Sequence, residues 1–179
     1  MEGTLVKAKG IRRCAYGSAL WRVLIIPTAT VIAVPALATP AQAVPTRTVS
    51  GNAILRIMDY ESVGENEVCP RNIPLDFRDI KLGSHRHVGF SAGRCGGEIR
   101  VEIHFTLEHD QVGFIRVTNG LVKFFEGATT STLDLDGWNT FPNILLLPGV
   151  EDFRNIHVQN TAEKQPNDKA DVKLTLRNS

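Results

Sequence analysis

The chain has 179 residues, 42% of them hydrophobic, and its 20 Lys+Arg nearly balance 19 Asp+Glu, for a net charge of +1. Five of those bases and one acid lie before residue 44, so residues 44–179 carry 15 bases and 18 acids, a net charge of −3. That sign argues against nucleic acid or an anionic membrane surface as the main partner.

Residues 1–43 read as an export leader. Lys7, Lys9, Arg12, Arg13 and Arg22 face a single acid, Glu2, and the apolar run Val23 to Ala38 follows. The run has 16 residues, fewer than the roughly 20 that span a bilayer. Ala41-Gln42-Ala43 satisfies the small-x-small cleavage rule, which predicts a mature chain starting at Val44. The expectation is a secreted bacterial protein with no transmembrane span after cleavage and one domain over residues 44–179.

The mature segment holds two cysteines, Cys69 and Cys95. An even pair in an oxidising compartment predicts a disulfide.

Strand signals begin at Val49 to Tyr60, where Ala53, Leu55 and Ile57 alternate with Ile54, Arg56 and Met58. Neither set is clearly polar, which suits a central strand. Residues 61–70 read as an acidic loop, with Pro70 and Pro74 bracketing a turn before a poorly alternating strand at Leu75 to Leu82. Gly83 to Gly97 is glycine-rich and reads as irregular structure stapled to Cys69, with a short strand at His87 to Phe90.

Glu98 to Glu108 is the clearest strand. Ile99, Val101, Ile103, Phe105 and Leu107 alternate without a miss with Glu98, Arg100, Glu102, His104, Thr106 and Glu108, giving one apolar and one wet face. A turn at His109-Asp110-Gln111 follows. Asn119-Gly120 between the runs Val112 to Thr118 and Leu121 to Glu126 predicts a two-residue hairpin. That hairpin sets Val117 against Val122, Ile115 against Phe124 and, on the wet face, Arg116 against Lys123. Gly127 to Asn139 reads as a polar loop, Phe141 to Val150 as a short or edge strand because of Pro142 and Pro148, and Phe153 to Gln159 as an alternating strand. Ala170, Val172, Leu174 and Leu176 mark an inward face on a closing strand at Ala170 to Arg177. No helical period emerges. Seven or eight short strands joined by turns predict an all-β antiparallel β-sandwich, with a β-barrel as runner-up.

Four groups of residues carry candidate chemistry. Asp134 and Asp136 in Asp-Leu-Asp-Gly can offer oxygens to calcium, with Asp59 and Glu61 as ligands from another loop. Trp138 and Asn139 beside them suit stacking and hydrogen bonding to a sugar, unless Trp138 instead caps the sandwich end near Phe141. His85 and His87 share one strand face and need a third ligand, such as His104, His109 or His157, to hold zinc or copper. Glu98 and Glu102 lie roughly 13 Å apart along a strand, too far for a glycosidase pair. No P-loop, nucleophile elbow, His-Glu-x-x-His or dinucleotide fingerprint is present. The sequence therefore predicts a secreted, non-catalytic protein with a binding or structural role, its partner a protein or a cell-surface polymer. A calcium-assisted carbohydrate- or surface-binding module and an extracellular hydrolase are the alternatives. A protease inhibitor presenting a protruding loop between the cysteines is a further binding option.

Overall fold

The computed structural model describes residues 45–61, 63–162 and 168–179. The leader expectation falls on 1–43, outside those residues. The described chain is all-β: nine strands form two antiparallel sheets that face each other as in a β-sandwich. No helix among the described residues is long and apolar enough to cross a membrane.

One sheet has the order β2 (Glu67–Lys81), β1 (Thr46–Asp59), β9 (Lys169–Asn178), β8 (Glu151–Gln159). The other runs β3 (His85–Cys95), β4 (Ile99–His109), β5 (Ile115–Phe125), β6 (Leu135–Phe141), and β7 (Ile144–Leu146) pairs the remaining length of β5. Successive strands are spatial neighbours, and β9 returns to β1. The connectivity is thus that of an up-and-down meander, opened where β2 leaves β3 and where β6 and β7 leave β8.

The core is made by alternation. The alternating apolar sets Ile99 to Leu107 on β4 and Ala170 to Leu176 on β9 are buried, as their patterns predict, and on β4 Arg100 and Thr106 of the other set are buried as well. Ala53, Leu55 and Ile57 of central β1 meet them from the first sheet, and Val122 and Phe124 of β5 from the second. A fully buried Leu or Phe stabilises by about 1.5–3 kcal/mol relative to exposure, so this apolar interior supplies most of the drive to fold.

Three sequence expectations are corrected. First, Asn119-Gly120 is no hairpin tip but a bulge inside β5. Asn119 takes φ 54°, and the β4 register shifts between His104 and Thr106. The extra residue switches the inward set from Ile115 and Val117 to Val122 and Phe124, the parity change that mimics a hairpin. The bulge lets β5 match the whole of β4. It also replaces the predicted Arg116–Lys123 juxtaposition with Glu108↔Arg116 and Glu102↔Lys123. Gly120 is required because Phe141 packs over it, and a Cβ there would enter the ring.

Second, Pro70 and Pro74 sit inside β2, opposite Arg56 and Asn52. β2 is an edge strand, and the two prolines are an even number of residues apart. Their missing N–H groups therefore point away from β1 and cost no ladder bond. Third, Gly83 to Gly97 is mostly the regular strand β3. Gly89 lies under the His104 ring, and Gly93 lies under Ile57 at a bulge. These glycines mark close approach rather than loop. Only residues 82–84 separate β2 from β3, so the protruding loop of an inhibitor is not formed between the cysteines.

Side-chain links stand where the ladders stop. Cys69 of β2 and Cys95 of β3 form the expected disulfide, with Cα atoms 5.6 Å apart. Asn178, fully buried at the end of β9, donates to the carbonyls of Leu146 and Gly113 on the opposite sheet's side of the core. Along the other opening, Asn139 of β6 donates to the His157 carbonyl of β8 at 2.8 Å. Replacing Cys95 by Ser is expected to cost about 2–5 kcal/mol, read as a fall in Tm. Amide exchange should show β2 and β3 losing protection before β1 and β9.

Candidate functional site: the outer face of the second sheet

Four strands present an open, regular face. Their registers align side chains in rows: Ser91, Glu102, Lys123 and Trp138 form one, and Gly89, His104, Leu121 and Thr140 the next. Beyond the bulge, His85, Glu108, Arg116 and Leu145 form a further row. At about 4.8 Å between strands, each full row spans about 14 Å.

The polar groups are held in place. Glu102 accepts from Arg100 Nε at 2.9 Å and lies 3.0 Å from His104 Nε2. Arg100 is itself buried, stacks over the Phe125 ring at 4.3 Å and donates to the Thr130 carbonyl. His104 rests on Gly89, where any Cβ would press on the ring. Next to it, a small hollow of about 210 Å³ is lined by His87, His104, Thr106 and Asn119. Thr106 Oγ1 is the hub: it lies 3.0 Å from His87 Nδ1 and accepts from Asn119 Nδ2 at 3.4 Å. The bulge that gives Asn119 its left-handed backbone turns its amide into this hollow.

Trp138 projects from β6 at the edge of this face with 63% of its surface exposed. It does not cap the sandwich end. The β5–β6 register shifts between Phe124 and Phe125, which leaves Asp136 as an extra residue on β6. This bulge puts Asp136 on the buried side and Trp138, two residues on, in solvent, with the close backbone approach of Gly137 to Gln159 between them. Asn139 is exposed, but its amide is committed to the His157 carbonyl.

The Asp134–Asp136 stretch is arranged differently from a ligand loop. Asp134 is exposed, and its N–H donates to Thr132 Oγ1. Asp136 is buried and accepts the Glu126 N–H at 2.8 Å, while its own carbonyl accepts from both the N–H and the hydroxyl of Thr161. Burial pushes the Asp136 carboxyl above the ordinary aspartate range, against the pull of the Glu126 N–H. Among the described residues no three acidic or histidine side chains converge on this pair. Nor do three histidines converge among the described residues: His87 and His104 share the hollow, but His85 lies 3.7 Å from Glu108, His109 is buried against the Ile80 carbonyl, and His157 pairs with Asp171 on the other sheet.

Sequence reasoning missed Asn119, Lys123 and Thr106 as partners on one face. The one available signal was the parity switch at Asn119-Gly120, which pointed equally to a hairpin. Asp59, expected as a calcium ligand with Glu61, lies instead at the end of the first sheet. Burial and then the neighbouring charges of Asp168, Glu61, Glu98 and Glu67 push its carboxyl up to about 6.

Two predictions follow from these carboxylates. Asp136→Ala orphans the Glu126 N–H and should destabilise by about 1–3 kcal/mol, by an equal amount in chelator and in calcium. Asp59 binds its proton more tightly folded than unfolded, so its contribution is complete below pH 3.8 and lost as pH rises through about 6. Urea titrations in chelator should show that decline, and Asp59→Asn should flatten it. Compared with family models, with curated proteins and with solved structures, the chain matches none of them.

Proposed function

We propose that this is an exported, non-catalytic binding protein that docks a cell-surface polymer, a glycan by chemistry, on the outer face of the second sheet. Trp138 is the stacking platform, and Lys123, Glu102 and Thr140 supply polar contacts. The observation that carries this reading is the exposure of Trp138, 63%, on the outer face of a regular strand in line with a charged row. A large aromatic left in water beside fixed hydrogen-bonding groups is the arrangement that recognises a sugar's apolar face and hydroxyls together.

Binding is favoured over hydrolysis because Glu102 already accepts from Arg100 and contacts His104, leaving it engaged rather than poised. The face is also open, where hydrolysis calls for a cleft with convergent groups. Export is proposed from the leader pattern of residues 1–43 and is supported by the disulfide.

Trp138 is the only tryptophan in residues 44–179, so its fluorescence reports on this face alone. Titrating the processed protein with soluble cell-wall polysaccharide fragments should blue-shift the emission, and Trp138→Ala should weaken retention on the insoluble polymer at least tenfold while leaving Tm unchanged. Equal retention of the two proteins would sink the glycan reading.

A further inference from the structure

Acidic side chains crowd one end of the first sheet. Asp59 pairs with Glu67 across the β1–β2 ladder. The β1–β9 register, which ends at Met58↔Lys169, carries Asp168 to the other side of Asp59. Three carboxylates, on β1, on β2 and just before β9, thus neighbour one another, where like charges are unfavourable. Two of them are buried: Asp59 is 5% exposed and Asp168 1%. Glu61 and Glu98 add two more charges that bear on Asp59. Among the described residues, none of these five acids forms an ion pair with Lys, Arg or His.

A separate observation concerns hydrogen bonding. Asp168 accepts the Tyr60 N–H at 2.6 Å. The Asp59 Oδ2 atom is fully buried and has no hydrogen-bond partner among the described residues. A buried oxygen left unbonded is destabilising, more so when charged, so its place in the fold calls for a compensating group. The Gly96-Gly97 turn closes over it: the two residues take φ 58° and 85°, and a Cβ on Gly96 would overlap Asp59 Oδ2.

We propose that Asp59, Asp168 and Glu67 form a binding site for a hard divalent cation of the calcium class. All three are anionic oxygen donors, the type calcium selects. The ion would neutralise the row and occupy the orphaned lone pairs of Asp59. Glu67 now leans over the disulfide, its Oε1 3.2 Å from Cys69 Sγ; the three carboxylates do not meet around one point in this arrangement, and Glu67 joins the site by a side-chain rotation. This site is separate from the Asp134–Asp136 stretch and does not depend on the glycan reading.

The test is thermal unfolding of the processed protein at neutral pH, in chelator and with calcium chloride alone. Calcium at a hundred times its dissociation constant should raise Tm by about 5–10 °C. Asp59→Asn and Asp168→Asn should each abolish the rise, and Asp134→Asn should keep it. Calorimetric titration of the unmutated protein with calcium should give one site per chain, which guards against a variant that fails to fold. No rise and no calorimetric binding in the unmutated protein would overturn the site. A rise that survives Asp59→Asn but not Asp134→Asn would overturn it in favour of the other loop.

Discussion

The constraint on which the rest depends is the incomplete closure of the meander. Every strand follows its predecessor in space, yet hydrogen-bonded ladders stop at two places. Each opening leaves strand edges whose backbone groups need partners and whose apolar faces need cover. Edge prolines at 70 and 74 remove donors from β2 where no acceptor waits. The disulfide closes the end of the same opening. At the other opening, Asp136, Asn139 and Thr161 bring β6 and the end of β8 together through side-chain and backbone bonds. Residues that look chemically expressive in the sequence are thus spent on closing the fold.

That allocation explains which functional signals survive in the structure. Asp136 reads as a ligand by composition and acts as a clamp by geometry. Trp138, two residues away, reads as a cap and lies in water. Alternation alone would send both to one face; the bulge at Asp136, where the β5–β6 register shifts, separates them. Trp138, on the outer surface of the second sheet, has no such closing duty.

How much was legible follows from the same physics. β4 and β9 were readable because each turns apolar side chains to one face and polar ones to the other, although Arg100 and Thr106 on the polar face of β4 are buried by their neighbours. The disulfide was readable because only two cysteines remain after residue 43. β2 and β3 were not, because edge strands tolerate proline, and a strand passing close under His104 or Ile57 demands glycine. Both residues also mark turns, and local sequence cannot distinguish the uses. Asn119-Gly120 failed for a related reason: a positive φ serves a hairpin and a bulge alike, and only the length of the partner strand decides. The acidic row at Asp59 was invisible because its members are brought together by register across residues 59, 67 and 168.

The pairing of β1 with β9 has a consequence for how the molecule is made. Residues 49–58 find their partners at 169–178, so the first strand of the sheet waits for the last. Contacts so distant along the chain impose a large loop-closure entropy, and folding governed by them is slow. A growing chain therefore holds no complete first sheet until its final strand has emerged. Such delay leaves the two sheets unlocked until late in synthesis, when the Cys69–Cys95 bridge can fix β2 to β3.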